Sequence, residues 1–138
     1  MIRRVVNMDR DMVRACYGIV NMFMDAGSMS EWFALKFTVD SGRSIMFVDE
    51  KTNGAVRGFL VGDAGVSRCV TLHDLFVNKD YHRMGVGSAL LQAYEDYTRE
   101  CSVEKIRLQS RPTKQALAFY VQHGFQKICW DNTMQKIL

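Results

Sequence analysis

Residues 75–88 read LFVNKDYHRMGVGS and combine the end of an apolar strand, a charged turn and two glycines at the start of a helix. The glycines at positions 85 and 87 carry no side chain, so a ligand can approach the backbone closely. The first N–H groups of the following helix have no intrahelical acceptor, and they lie at the positive end of the helix dipole. The stretch therefore predicts a cradle for a phosphate or pyrophosphate.

Two better-known glycine-rich loops do not match these residues. A P-loop requires a lysine directly after its second glycine, and no lysine follows either glycine here. A dinucleotide-binding fingerprint requires a third small residue three places on, and that place holds Leu90. The cradle is therefore of a different kind.

The composition limits the class of protein. With 138 residues, 48% of them apolar, the chain can bury a core without disulfide or metal staples, and a single domain over residues 1–138 is predicted. The 18 basic and 15 acidic residues are mixed, so no polybasic arm favours nucleic acid or a membrane as partner. No apolar run is long enough to span a bilayer, and residues 1–6 lack the apolar core of a signal peptide. A soluble, cytoplasmic protein is expected.

The four cysteines lie at wide spacings and form no C-x-x-C pair. This pattern argues against a structural zinc site and predicts reduced thiols buried in the core. No metal is predicted.

Hydrophobic periodicity predicts the order of the elements. A short strand precedes two helices, and an Asn-Gly turn at 53–54 between apolar runs then predicts a hairpin. After the cradle come a long one-sided helix, with Glu95 on its polar face, and a further strand, helix and pair of strands. The predicted ranges include strands at 2–6, 44–49, 55–62, 68–77, 105–110, 125–129 and 133–138.

The strand at 68–77 leads into the cradle. Strict alternation places one set of its residues on one face of the sheet and the other set on the opposite face. The first set is Cys69, Thr71, His73, Leu75 and Val77, and the second is Val70, Leu72, Asp74 and Phe76.

Two motifs carry a family resemblance. Residues 82–87, HRMGVG, match Gln/Arg-x-x-Gly-x-Gly/Ala after a strand ending in apolar-x-Val, and residues 113–125, TKQALAFYVQHGF, match Asn-x-x-Ala-x-x-Leu/Phe-Tyr-x-x-x-Gly-Phe. With both motifs in register, the chain resembles the GCN5-related N-acetyltransferase (GNAT) superfamily over nearly its whole length. His82 stands in place of the usual Gln or Arg, and Thr113 in place of the usual Asn.

The resemblance implies an α/β (α+β) fold with a mixed, mainly antiparallel central sheet of six to seven strands and flanking helices. It also implies acetyl-CoA as co-substrate. The strand end would hold pantetheine and polarise the acetyl carbonyl, and the glycine loop would surround the phosphates. The implied cofactor-binding residues are Leu75, Phe76, Val77, His82, Arg83, Met84, Gly85, Val86, Gly87, Ser88 and Thr113.

Acetyl transfer to an amine needs a neutral amine and a proton for the departing thiolate. Tyr120 matches the family tyrosine and is the candidate acid. His73 is the first candidate base, because histidine titrates near neutrality, and Asp74 is the second. A water chain without a dedicated base is a third possibility.

The resemblance implies a primary amine of a small molecule, peptide or protein as acceptor. Its identity would depend on residues 31–37, the turn at 63–68 and the C-terminal strand pair. Two alternatives stay open: a non-catalytic acyl-CoA-binding module, and an acetylator of aminoacyl-tRNA. A homodimer also stays open.

Overall fold

The computed structural model describes residues 1–138, which form seven strands and four α-helices. The elements are β1 (Ile2–Val5), α1 (Arg10–Asn21), α2 (Met29–Asp40), β2 (Ser44–Glu50), β3 (Val56–Asp63), β4 (Cys69–Val77), α3 (Val86–Glu100), β5 (Lys105–Gln109), α4 (Lys114–Gln122), β6 (Gln126–Lys127) and β7 (Thr133–Ile137). The strands form one sheet in the order β1-β2-β3-β4-β5-β7-β6. All neighbouring strands are antiparallel except β4 and β5. The predicted mixed, mainly antiparallel sheet is confirmed.

The helices cover both faces of the sheet. Asp9 and Ser28 cap α1 and α2 by accepting hydrogen bonds from backbone N–H groups three residues later. The apolar stripes of α1 and α2 pack on one face, around Phe59 and Val61. Those of α3 and α4 pack on the other, around Leu60 and Ile106. None of the four helices is long and apolar enough to cross a membrane.

The centre of the sheet splits into a wedge. β4 and β5 are paired only where Cys69–Thr71 lie beside Lys105–Arg107, although β4 continues to Val77. Beyond this short ladder the two parallel strands diverge. The outer half of β4 therefore pairs with β3 on one edge and presents its other edge to the wedge.

A bulge interrupts β4 and corrects its predicted alternation. Val61 of β3 lies opposite Asp74 and Gly62 opposite Leu72, so His73 is an extra residue without a partner. Val70 and Leu72 therefore share the α3 face with Leu75 and Val77, whereas Phe76 packs on the α1 face. The prediction that Leu75 and Val77 lie on the face of Cys69 and Thr71 was wrong, because the bulge exchanges the two faces.

Three smaller predictions were also wrong. Glu95, expected on the polar face of α3, is 3% exposed, because Lys136 of β7 binds both carboxylate oxygens at 3.0 and 3.1 Å. β6 is limited to two residues. Of the cysteines, Cys16 is buried, but Cys101 and Cys129 are exposed, so the core-thiol prediction fails for the last two.

Gly62 on β3 provides a test of the packing beneath α3. A Cβ there would overlap the buried ring of Tyr94, coming within 2.7 Å of Cε1. We expect Gly62→Ala to lower the free energy of unfolding by about 2–3 kcal/mol, because a packed core resists added volume. Urea unfolding followed by circular dichroism measures the change.

Gly18 supplies the matched control. It lies in the interior of α1, where an added Cβ has no neighbour within 4 Å. Gly18→Ala is therefore expected to stabilise the chain by about 0.5–1 kcal/mol, because alanine loses less backbone entropy in a helix. Equal effects of the two substitutions would contradict the packing described for Tyr94.

Candidate active site

The loop after β4, the predicted cradle, turns sharply into α3. Arg83 and Gly85 both adopt left-handed conformations, with φ of 63° and 78°, and this turn leads the chain into α3. Gly85 occupies the N-cap position without any side-chain cap. Consequently the first-turn N–H groups of this 15-residue helix have no side-chain acceptor.

Packing brings α4 against the start of α3. A Cβ at Gly87 would lie 3.4 Å from the Phe119 ring and 3.6 Å from Val77 Cγ2. In the same turn, the Ser88 hydroxyl is hydrogen-bonded to His123 Nε2 at 2.9 Å. The cradle is thus bounded by the end of β4, the first turn of α3 and one side of α4.

His82, Arg83 and Met84 form the exposed side of the cradle. His82 Nε2 donates to the Val77 carbonyl at 2.9 Å, and this bond closes the loop back onto the strand end. Its ring also stacks on Phe23, with 5.6 Å between centroids.

Phe23 was not among the site residues predicted from the sequence. It lies beyond the end of α1 and reaches across the open end of the wedge. Its ring contacts Phe76 on the β4 side, and on the β5 side Arg111 Cζ lies 5.4 Å from its centroid. Lys79 Nζ lies 5.3 Å from the same centroid. In the sequence, Phe23 is marked only by its position shortly before a glycine turn, and that position does not predict these contacts.

Tyr120 of α4 packs on the α3 face of the sheet. Its ring packs edge-on against Phe119 and Phe125, with centroids 5.2 and 5.6 Å away. Burial raises the pKa of its hydroxyl to about 12, and the negative charge of Asp74 acts in the same direction. The hydroxyl therefore stays protonated at neutral pH and is able to donate a proton.

Asp74 lies on the opposite face of the sheet from Tyr120. Residues directly opposite in an antiparallel pair share a face, so Asp74 lies with Val61 on the α1 side. Burial raises the pKa of its carboxyl group, while the neighbouring His73 lowers it in part. Its charge also raises the pKa of the buried Cys16 thiol of α1, after the larger effect of burial. Asp74 thus acts electrostatically on both Tyr120 and the α1 face.

His73 is directed elsewhere. As the extra residue of the bulge it is exposed, and its Nε2 donates to Asp63 Oδ1 at 2.7 Å. The second oxygen of Asp63 accepts the backbone N–H of Thr71 at 3.0 Å. The charge of Asp74 therefore acts on Tyr120, whereas the His73 ring is held beside Asp63 at the end of β3.

Thr113 has a local structural function. Its hydroxyl accepts the N–H of Ala116 at 3.2 Å and so caps the N-terminus of α4. This cap orients the helix that carries Tyr120. No cluster of three or more His, Cys, Asp or Glu side chains is placed to hold a metal ion.

The sequence model of the acetyltransferase (GNAT) family matches residues 11–125, which is most of the chain. The chain belongs to the GNAT family. No curated protein sequence matches it significantly.

Solved GNAT structures share the whole fold. An acetyltransferase of the GNAT family from Staphylococcus aureus superposes with a TM-score of 0.83 at 14% identity, covering 100% of this chain and 99% of that one. The ribosomal-protein-S18-alanine N-acetyltransferase from Escherichia coli gives 0.78 at 21% identity, with 99% and 94% covered. PaiA N-acetyltransferase from Thermoplasma acidophilum, in complex with coenzyme A, gives 0.71 at 14%, with 100% and 99% covered.

Proposed function

We propose that this GNAT acetyltransferase transfers an acetyl group from acetyl-CoA directly to a primary amine. The observation that carries the proposal is the placement of Asp74 and Tyr120. Asp74, on the uncovered half of β4, lies on the α1 face, and Tyr120 of α4 packs in the cluster on the α3 face. The negative charge of Asp74 raises the pKa of the Tyr120 hydroxyl, so the two groups are near enough to interact. A base on one side and an acid on the other suit a transfer reaction that passes through the wedge.

The wedge and cradle fit acetyl-CoA. The uncovered edge of Leu75, Phe76 and Val77 offers backbone groups to a pantetheine arm, as a neighbouring strand would. The uncapped start of α3, with the residues from His82 to Ser88, suits the pyrophosphate. Thr113 supports this site by capping α4, and its hydroxyl is thereby engaged.

When bound, acetyl-CoA supplies the activated thioester. Asp74 then accepts a proton from the acceptor ammonium, directly or through a water molecule, and the amine becomes nucleophilic. The Tyr120 hydroxyl would donate its proton to the sulfur as the thiolate leaves, and the proton that the newly acylated nitrogen loses would restore the hydroxyl. Backbone N–H groups of β4 polarise the carbonyl of the acetyl group.

Asp74 is preferred over His73 as the base because of where each side chain lies. The carboxyl group of Asp74 influences Tyr120, whereas the His73 ring is hydrogen-bonded to Asp63. A raised pKa also brings a carboxylate nearer to the range in which a general base works well.

The acceptor is proposed to be a small-molecule, peptide or protein amine. The similarity to a ribosomal-protein-S18-alanine N-acetyltransferase supports a protein amine as one candidate. The acceptor amine is proposed to enter the wedge from the side of α1 and α2, past Phe23, because the cradle occupies the side of α3. Aminoacyl-tRNA is a weaker candidate, because the net charge of +3 comes from dispersed residues rather than a basic stripe.

Calorimetry with acetyl-CoA tests the placement of the cofactor. We expect 1:1 binding by the wild-type chain and a loss of affinity of more than about 100-fold in Gly87→Asp. The new carboxylate would repel the pyrophosphate, and the Cβ of the aspartate would contact the Phe119 ring. Ser67→Asp is the matched control, because it adds the same charge on the exposed turn before β4.

Retained tight binding in Gly87→Asp would show that the cradle is placed wrongly. A comparable loss in Ser67→Asp would mean that net charge, not the cradle, controls affinity. Binding without turnover on any amine would instead support the non-catalytic acyl-CoA-binding module.

A further inference from the structure

His123, at the end of α4, is hydrogen-bonded through both ring nitrogens. Its Nδ1 lies 2.7 Å from the Phe119 carbonyl oxygen, and its Nε2 lies 2.9 Å from Ser88 Oγ. The ring also packs on Phe119, with 4.4 Å between centroids. His123 is half-buried and fixed in orientation, and it connects α4 to a residue in the first turn of α3.

The positions of the hydrogens follow from the chemistry of the partners. A carbonyl oxygen only accepts, so Nδ1 of His123 must carry a hydrogen. A neutral imidazole has one N–H, so Nε2 is then an acceptor and the Ser88 hydroxyl must donate to it. The single hydroxyl hydrogen of Ser88 therefore points at His123 and not into the cradle.

We propose that His123 is a positioning residue that takes up a proton when the pyrophosphate of CoA binds at Ser88. This inference rests on the proposed function, because it requires CoA phosphate in the cradle. An ionised phosphate oxygen accepts hydrogen bonds, so Ser88 must turn its hydrogen toward it. Ser88 Oγ then becomes an acceptor and needs a hydrogen from Nε2. Because Nδ1 keeps its own, the ring must become an imidazolium.

The charged groups near His123 are paired with one another, and none of them is hydrogen-bonded to its ring. From α3, Ser88 bonds the ring, and the buried Glu95 lies two turns further along the helix. From β7, Lys136 packs beside Gly124, but its Nζ is bound to Glu95 at 3.0 Å. Arg99 also pairs with Glu95, at 3.5 Å. On α4 itself the ring bonds only the Phe119 carbonyl. No carboxylate is hydrogen-bonded to the ring, so the bound phosphate would supply the stabilising negative charge.

Calorimetry of CoA binding in two buffers with different ionisation enthalpies counts the protons exchanged. At about pH 7.5, we expect the wild-type chain to take up a fraction of a proton for each CoA bound. This uptake should exceed that of the His123 and Ser88 variants described below. Its affinity for CoA should also fall as the pH rises, because proton uptake then becomes harder. Titration of the CoA phosphates themselves contributes equally to all variants and cancels in the comparison.

His123→Gln is the diagnostic variant. A glutamine amide can donate to Ser88 without titrating, so affinity should stay within about threefold while the proton uptake disappears. Ser88→Ala should also abolish the uptake and weaken CoA binding about tenfold, because a hydrogen bond to a charged group is lost. The double variant should bind no more weakly than Ser88→Ala.

Two results would overturn the inference: undiminished uptake in His123→Gln, whether or not His82→Gln loses it, or no uptake by the wild-type chain while CoA binds. A wild-type chain that does not bind CoA would contradict the proposed function itself, and the two failures are therefore distinguishable.

Discussion

Tyr120→Phe is expected to lower turnover with acetyl-CoA by about 100-fold or more, while the affinity for acetyl-CoA changes little. The substitution removes only the hydroxyl, and the ring can keep its edge-on contacts with Phe119 and Phe125. Steady-state rates of thiol release, beside calorimetry with acetyl-CoA, measure both quantities.

The pH profile adds a second readout for Tyr120. Its pKa of about 12 keeps the proton in place throughout the neutral range, so the wild-type rate should show no loss near pH 9 from ionisation of this group. An unchanged rate in Tyr120→Phe would rule out its role as the acid. A matched loss of affinity would instead assign the ring to cofactor binding.

Asp74→Asn is expected to reduce turnover by about 100-fold and to stabilise the fold at neutral pH. The loss of activity follows from removal of the proposed base. Because protonation disables that base, the wild-type rate should also fall as the pH drops through the raised pKa of Asp74. His73→Gln is the comparison variant. A larger loss in His73→Gln than in Asp74→Asn would make His73 the base.

The effect of Asp74→Asn on stability has a defined sign. Burial raises the Asp74 pKa above 3.8, so its contribution to stability is fully present below that value and is lost as the pH rises through the folded-state pKa. Asparagine cannot ionise and avoids this loss. The variant should therefore be at least as stable as the wild-type chain at pH 7, and its advantage should vanish near pH 3. Urea unfolding at the two pH values tests this prediction. A marked destabilisation of Asp74→Asn at pH 7 would contradict the raised pKa of Asp74.

Local patterns predicted the order of the elements, including the strand, loop and helix start that form the proposed cradle. Residues 75–88 carry their information within a single stretch, because glycine spacing, the strand end and the helix start are local properties. The two motifs, read together, placed Tyr120 and the glycine loop in one family pattern. These features needed no knowledge of which strands become neighbours.

The bulge at His73 could not be predicted in the same way. No glycine or proline marks it, and it depends on how β3 and β4 pair. It changes which face each residue of β4 presents, and so it reverses the order of preference between His73 and Asp74. Contacts of Phe23 and His123 are equally non-local: His123 meets Ser88 across 35 residues.

We propose above all that the chain transfers an acetyl group directly from acetyl-CoA to an amine, without an acetylated protein intermediate. Acetyl-CoA with an isotopically heavy acetyl group, incubated with a panel of small amines, polyamines, amino sugars and peptides, tests it by mass spectrometry. We predict equal amounts of free CoA and heavy N-acetyl product with at least one acceptor, while the mass of the protein stays unchanged. CoA bound without any labelled product, or a heavy acetyl group retained on the protein, would contradict the account.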